Sequence, residues 1–574
     1  MLNPIQDIIV AIQKALEHYP INTEVSIQVQ LANQPKLGQF QSNIAMLLAK
    51  PLQKSPLEIA NELAEALSQN DLFAEVVASK PGFLNFSLKK AYFNDQLNQL
   101  LRDPRLGIPV TDQPKTVVVD YSSPNIAKHM HIGHLRSTII GDAITRLLTY
   151  CGDYVIRQNH IGDWGTQFGM LIEHLVENDF DPNVINLNEA YQTAKKRFDS
   201  EPEFAKKAKE RVVALQSHEP KTFEIWQNLV KASEAHFSEI YQSLGVLLDE
   251  ADTRAESFYN PKLKPLVEQL DQIGLCHTDN GAKVIYLDNF KDRQGKHLPL
   301  IIQKSDGGFL YATTDLAALD FRIHELKADR IIYVVDARQE QHFSMVFEAA
   351  KHIGWQKDTP ELNAVLFGMV LGDNGKPYKT REGTTVPLAS LIEESIQKAT
   401  EMVKARHPDW SNEKLIPIAK AIAIGGLKYA DLANDKIKNY VFSFDRMLAL
   451  DGNTAPYLQN AYVRIQSILR KASLTQTEAA SGTISIQSDI ETDLACHLAQ
   501  FPKEIFAIRD SLSLHRLCHY LYKLASLYHQ FYEHHPILSA DTQDKASRLS
   551  LSVLTSNILK QGLNILGIET IDFM

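Results

Sequence analysis

The sequence is short of several things, and each shortage excludes a class of protein. Its 574 residues hold four cysteines, Cys151, Cys276, Cys496 and Cys518, spread far apart and without a Cys-x-x-Cys pair. That excludes a disulfide scaffold and a zinc ribbon, and it fits a reducing cytoplasm. No apolar run approaches the roughly 18 residues of a membrane span. The nearest, Ala421-Ile-Ala-Ile-Gly-Gly, is brief. The opening Met-Leu-Asn-Pro-Ile-Gln-Asp lacks the basic-then-apolar order of a secretory signal, so no targeting segment is expected. Basic residues are not in excess: 59 Lys and Arg stand against 69 Asp and Glu, a net charge of −10. Such a chain is no general nucleic-acid binder, and any RNA must be met by local basic surfaces whose grip falls with salt. A heptad seam is also missing, which points to a monomer.

What is present is an ordinary globular composition, 44% hydrophobic and 22% charged, in a length that suits three or four domains. Residues 1–110 mix helical spacing (Ile5 to Leu16, Pro56 to Leu67, Ala91 to Leu101) with strands at Glu24 to Leu31 and Phe83 to Leu88, an α+β module. Pro104, Pro109 and Pro114 then punctuate a linker. Residues 115–385 alternate β runs with helical patterns, which predicts a doubly wound parallel sheet of the Rossmann type. Polar helices over about 180–262 interrupt it as an insertion, and their mixed charges read as solvated faces. Helical text then runs almost to the end, as a connecting region over 386–450 and an all-α bundle over 451–574. Within it, Ser473 to Asp489 reads as a loop.

The rest turns on one stretch, Asp120-Tyr-Ser-Ser-Pro-Asn-Ile-Ala-Lys-His-Met-His131-Ile-Gly-His134. A β run, Thr116-Val-Val-Val-Asp, enters it; a helical pattern (Leu135, Ile139, Ile140, Ala143, Leu147, Leu148) leaves it. A strand that stops at a tight loop and opens a helix is where α/β sheets hold phosphate, because free backbone N–H groups and the helix dipole both favour an anion. His131 and His134 share a face of the first turn, and Gly133 between them lets a flat ring approach the backbone. Two imidazole donors there suit a nucleotide whose α-phosphate gains charge during displacement. By chance His-x-Gly-His would occur roughly 0.03 times in such a chain, so accident explains it poorly. Two plainer readings stay open: a helix start whose histidines cap or pack, and a metal site on His129, His131 and His134. No Cys or carboxylate sits at ligand spacing nearby.

The run Pro124, Asn125, Ile126, Ala127, Lys128, His129, Met130, His131, Ile132, Gly133 and His134 resembles the HIGH signature of class I aminoacyl-tRNA synthetases in its arginyl form. His160-Ile-Gly-Asp-Trp-Gly-Thr-Gln-Phe-Gly169 is similar to the same family, and the resemblance covers most of the chain. It implies ligation of arginine to tRNA. ATP with Mg²⁺, L-arginine and tRNA(Arg) would be the substrates, with no protein-bound metal or organic cofactor, and activation would depend on bound tRNA. His131, His134 and Lys128 would be catalytic, with Gly133 against ATP. The loop from Phe367 to Arg381 stands in the place of the KMSKS signature but departs from it, with Thr380 where the second lysine is usual. Lys379, Thr380 and Arg381 would hold the β- and γ-phosphates, and Lys128 would supply the missing charge.

The resemblance also implies a pocket in which Tyr311, Asp315 and Gln339 bind the arginine side chain, and Asp120, Ser123 and Asn125 its α-ammonium. A guanidinium needs a carboxylate and neutral acceptors in fixed geometry. A site whose polar groups stay unpaired with a wrong amino acid can reject it by about 10⁴ or more, which agrees with the lack of an editing domain. Gly38-Gln-Phe-Gln-Ser-Asn43 resembles a signature of the family's tRNA-docking N-terminal module, with Gln39 where an acidic residue is expected. Tyr457, Tyr462 and Arg464 would bind tRNA by stacking on and reading anticodon bases. A small-molecule nucleotidyltransferase, or a tRNA binder without chemistry, would differ from this enzyme in arginine-dependent pyrophosphate exchange.

Overall fold

The computed structural model describes residues 4–20, 25–32, 37–179, 187–292, 294–355, 360–372, 374–378 and 386–574. The N-terminal module comprises α1 (Pro4–Leu16), β1 (Val29–Leu31), β2 (Phe40–Ser42), α2 (Ile44–Leu52), α3 (Pro56–Leu67), β3 (Phe73–Ser79), β4 (Phe83–Leu88) and α4 (Lys90–Arg102). Its strands form an antiparallel sheet in the order β1-β2-β4-β3. The strand expected from Glu24 is shorter, and β3 was not foreseen, because its solvent-facing side breaks the apolar alternation. In α3, Ser55 accepts from the Glu58 N–H and Pro56 fills a first-turn position that needs no donor, so the start falls where the sequence places it.

The catalytic part begins with β5 (Thr116–Asp120), α5 (Ile132–Tyr150), β6 (Tyr154–Gln158) and α6 (Thr166–Glu177). The insertion follows as α7 (Leu187–Ser200), α8 (Pro202–Gln216) and α9 (Pro220–Leu244), leading into α10 (Glu256–Gln272). The boundary expected near residue 262 therefore falls inside α10. Next come β7 (His277–Asp279), β8 (Ala282–Lys291), β9 (His297–Gln303), α11 (Tyr311–His324), β10 (Arg330–Asp336), α12 (Glu340–Ile353) and β11 (Glu361–Phe367).

The parallel sheet runs β11-β10-β5-β6. Val117, Val118 and Val119 are buried, as a β-branched run covered on both faces should be. Asp120 lies opposite Tyr333 of β10 on one side and Gln158 of β6 on the other. Distant in sequence, β5 and β10 are neighbours, and the chain winds outward from the line between them. That line is the topological switch point, and open α/β sheets bind their ligands in the crevice beyond the carboxyl ends of the strands at such a line. β7, β8 and β9 make a separate antiparallel sheet rather than extending the parallel one. The short turn between β8 and β9 cannot supply the crossover that parallel pairing needs. α11 starts at Tyr311, which puts that residue and Asp315 one turn apart on the same helix.

Beyond β12 (Val370–Leu371) stand α13 (Leu388–Arg406), α14 (Asn412–Leu432), β13 (Tyr440–Val441) and α15 (Phe444–Met447). The bundle is α16 (Ala455–Ala472), α17 (Gln476–Ala479), α18 (Asp489–Leu498), α19 (Phe501–Ser511), α20 (His515–His534) and α21 (Thr542–Ile565). The N-terminal module docks on it. Asn98 Nδ2 donates to the Ile484 carbonyl at 2.9 Å, the Ile484 N–H returns a 2.9 Å bond, and the Ile486 N–H reaches Asn94 Oδ1 at 2.8 Å. The stretch expected as a loop is thus partly helical and partly a docking strip.

Buried charges join α5 to what surrounds it. Arg136 pairs with Asp431 of α14 at 2.8 Å. Asp142 accepts from Arg146 and from the Leu247 N–H, each at 2.8 Å, while Arg146 donates to the Gly245 carbonyl at 2.9 Å. Lys428 of α14 donates to the Gly567 carbonyl at 2.6 Å. Burial pulls that lysine down to about 8 against the opposing effect of Asp142. Among the described residues, no helix is long and apolar enough to cross a membrane.

Candidate active site

The loop between β5 and α5 is built under strain. Ser122, Ser123 and Ala127 have φ of 74°, 47° and 60°, left-handed values that cost a non-glycine residue about 1–3 kcal/mol each. Neighbours on several elements hold it there. The Ser122 N–H donates to Ser137 Oγ at 2.9 Å, and Ser123 N–H to Asn159 Oδ1 at 3.0 Å. Two contacts come from the insertion: Ser122 Oγ lies 2.7 Å from the Tyr241 hydroxyl, and Ala127 N–H donates to Ser233 Oγ at 3.1 Å. The second glycine-rich turn lies alongside, with Ile126 N–H on the Gly162 carbonyl and Gly162 N–H on that of Pro124. A Cβ on Gly162 would stand 2.3 Å from Asn125 Oδ1, so any larger residue there must displace the Asn125 side chain. Ile126, Met130 and Ile132 anchor the loop in the core.

His131 and His134 open α5 as a reciprocal cap. Gly133 N–H donates to His131 Nδ1, and His131 N–H donates to His134 Nδ1, both at 3.1 Å. A backbone N–H can only donate, so both Nδ1 atoms are acceptors and each neutral ring carries its proton on Nε2. The rings stand 4.0 Å apart. Burial first, then the neighbouring ring and Lys128, pulls His134 down to about 3. Burial and the Arg338 charge hold His131 below its ordinary value. At neutral pH the crevice thus has two uncharged rings with Nε2–H as their donors. Capping and ligand binding are compatible, since they use opposite nitrogens. His129 instead faces the His236 ring at 5.4 Å, and among the described residues no three His, Cys, Asp or Glu side chains are grouped to hold a metal. A Cβ on Gly133 would fall 2.8 Å from His131 Cε1, crowding the cap.

Cations flank the pair. The Lys128 ammonium rests 4.8 Å from the Tyr191 ring centre of α7, with its charge felt at both histidines. Arg338, just beyond β10, is paired with Asp336 by two 2.8 Å bonds and acts on His131. Lys379, Thr380 and Arg381 lie outside the described residues.

Across the crevice, α11 and α12 meet. Tyr311 opens α11, is 63% exposed, and packs edge-on to the His342 ring at 4.8 Å. Asp315, one turn on, stands 2.6 Å from His342 Nε2. Gln339 is exposed at the end of a 3-10 turn leading into α12. His342 went unforeseen, although its place three residues after Gln339 on a helix was a signal. Glu256, also unforeseen, opens α10 and accepts from the Trp164 N–H at 3.3 Å. Burial, then Asp163, and more weakly Asp315, push its carboxyl up to about 7; burial raises Asp163 to about 6 despite its bonds to Ser257. Carboxylates gathered where they resist joint ionisation make a place prepared for a cation.

Of the residues expected at the α-ammonium, Ser123 is exposed and Asn125 half-buried at the loop. Asp120 is already engaged. Its Oδ2 accepts from Arg322 at 2.7 Å in a buried ion pair, and Oδ1 accepts from Ser123 Oγ at 3.2 Å. Arg322 also donates to Gln158 at 2.6 Å, so Asp120 ties the strand ends together. In the bundle, Tyr457 is half-buried with its hydroxyl 2.9 Å from His529 Nδ1, and Arg464 lies over the Tyr532 ring at 5.1 Å. Tyr462 is only 4% exposed, which corrects the expectation that its ring is open to a base; it packs in the core. Gln39 Oε1 accepts from the Leu88 N–H at 2.8 Å and fastens β4.

Residues 6–88 match the family model described as Arginyl tRNA synthetase N terminal domain. Residues 96–444 match tRNA synthetases class I (R), catalytic domain, and residues 458–574 match DALR anticodon binding domain. An arginine–tRNA ligase of Shewanella woodyi is 44% identical over 98% of this chain and 97% of its own length; one of Thermosynechococcus vestitus is 46% identical over 98% and 97%. The chain belongs to the arginyl-tRNA synthetase family. A crystal structure of arginyl-tRNA synthetase from Plasmodium falciparum, 30% identical, aligns over 99% of both chains with a TM-score of 0.84. That from Thermus thermophilus, at 24% identity, shares the fold with a TM-score of 0.81 over 100% of both. Membership makes this an ATP-dependent class I aminoacyl-tRNA synthetase, and the catalytic match runs through the insertion and the β7–β9 sheet.

Proposed function

We propose that the chain charges tRNA(Arg) in two steps. The arginine carboxylate attacks the α-phosphorus of Mg²⁺-bound ATP in line, forming arginyl-adenylate and releasing pyrophosphate. A terminal ribose hydroxyl of the tRNA then takes the arginyl group and AMP leaves. His131 and His134 donate through Nε2–H to the α-phosphate oxygens as charge gathers on them, and being neutral they do so without competing for a proton. Lys128 adds fixed charge there; Gly133 leaves room for the nucleotide; Lys379, Thr380 and Arg381 attend the β- and γ-phosphates. Asp315, Glu256, Tyr311 and Gln339 receive the guanidinium, while Asn125 and Ser123 receive the α-ammonium, steadied by Asp120. Tyr457 and Arg464 contact the anticodon loop. The N-terminal module (1–110) and the bundle (451–574) serve tRNA binding, and 115–385 with 386–450 serves the chemistry. Four free cysteines support a cytoplasmic setting, and the chain acts as a monomer.

The observation that carries this reading is the cap geometry, which leaves both imidazoles with the same free donor at a sheet's switch point. Arginine-dependent pyrophosphate exchange, with and without tRNA(Arg), tests it. Exchange is expected with tRNA. Asp315→Asn should raise the arginine KM by roughly 10- to 100-fold, the worth of a charged hydrogen bond. An unchanged KM would remove Asp315 from the pocket, and no exchange under any condition would overturn the reading.

A further inference from the structure

The strained signature loop does not hold itself, and its support from outside the Rossmann sheet comes largely from one helix of the insertion. α9 passes beneath the loop and touches it twice, two turns apart: Ser233 Oγ takes the Ala127 N–H at 3.1 Å, and the Tyr241 hydroxyl lies 2.7 Å from Ser122 Oγ. Both contacts fall on residues with left-handed φ. The Tyr241 hydroxyl also accepts from Asn159 Nδ2 at 3.1 Å, and the same amide's Oδ1 accepts from Ser123, the third strained residue. On its far side Ser122 Oγ lies 2.9 Å from the Thr138 hydroxyl, which donates to the His134 carbonyl at 2.7 Å. A run of short polar contacts therefore leads from the insertion to the backbone of the second histidine. Tyr241 is 4% exposed, so its hydroxyl is committed to these partners rather than to bulk solvent. Four residues on, α9 ends at Gly245, whose carbonyl is held by Arg146, with Leu247 held by Asp142. The helix is thus pinned to α5 just past the point where it holds the loop.

We infer that α9 positions the signature loop for adenylate formation, with the Tyr241 hydroxyl and Ser233 Oγ as the positioning groups. The inference rests on the proposed roles of His131 and His134. Neither Tyr241 nor Ser233 meets substrate. They fix loop residues whose left-handed backbone would otherwise relax and carry the imidazoles away from the α-phosphate. A misplacement of about 1 Å there costs roughly 100-fold in rate while leaving ground-state binding largely alone.

The test is pyrophosphate exchange by the full chain with saturating tRNA(Arg), measured for Tyr241→Phe, Ser233→Ala and the double variant, alongside melting temperature. Tyr528→Phe, which deletes a buried tyrosine hydroxyl bonded to Ser552 in the bundle at 3.1 Å, calibrates the general cost of such a loss. The expected result is a kcat lowered roughly 10- to 100-fold in Tyr241→Phe, with arginine and ATP KM within about threefold of the parent and a melting temperature matching Tyr528→Phe. A parental kcat in the double variant would overturn the inference. So would a kcat loss that merely tracks the fall in melting temperature, or one that Tyr528→Phe shares. If the parent chain itself shows no arginine-dependent exchange, the assigned function fails, and the positioning role that rests on it falls with it; exchange by the parent with parental kcat in the variants overturns the positioning role alone.

Discussion

Two of the site's residue types act through the proton they lack or keep. The histidines are neutral because burial penalises the imidazolium, and the cap fixes which nitrogen stays free. Glu256 is the converse. Its carboxyl is raised to about 7 by burial and by Asp163 and Asp315, so below that pH the empty pocket holds a proton on it. An arriving guanidinium favours the ionised form and must displace that proton. Arginine KM should therefore fall as pH rises from 6 to 8, by up to about tenfold per unit below 7, and level off above. Glu256→Gln should raise KM and flatten the profile. A variant that keeps the slope would transfer the proton to another group, Asp163 being the first to examine.

Between elements, the two glycine-rich turns meet closely at Gly162 and the Asn125 side chain. Gly162→Ala should push Asn125 and the signature loop apart, costing about 1–3 kcal/mol in stability and most of the exchange rate, as read by thermal melts and kinetics together. A variant with parental kcat would mean the loops have slack that the 2.3 Å approach denies. The same pairing shows what the sequence could and could not disclose. β5, α5, β6, α6 and β10 were readable because valine-rich runs, helical spacing and glycine turns are local signals. Asp315 and Gln339 were named through motif likeness, and His342 could have been. Glu256 and Tyr241 could not, because their partners lie on segments distant in sequence, and nothing local distinguishes a loop-holding tyrosine from a core one. Tyr462 erred the other way: an aromatic beside arginine on a helix has the same spacing whether it faces RNA or the bundle core. The apolar runs of β8 and β9 are legible and the three-residue β7 is not, and pairing direction depends on the connection, which apolar alternation does not encode.

At the level of the molecule, a chain of net charge −10 is proposed to embrace a polyanion, so its grip must be local. The affinity for tRNA(Arg) should decline steeply between about 50 and 200 mM salt. Arg464→Ala should weaken binding at every salt while arginine activation at saturating tRNA stays near parental. A dissociation constant unmoved throughout would take Arg464 out of the interface. The N-terminal module is held to the bundle through Asn94 and Asn98, and the segment after the last bundle helix is held to α14 through Lys428. That second attachment has a consequence for how the enzyme comes into being. Lys428, on α14 and within the electrostatic reach of Asp142 of α5, is bonded to a carbonyl made well over a hundred residues later, after the final bundle helix has been translated. A growing polypeptide therefore cannot complete this attachment, or pack its last bundle helix against α5, until nearly every residue has been made.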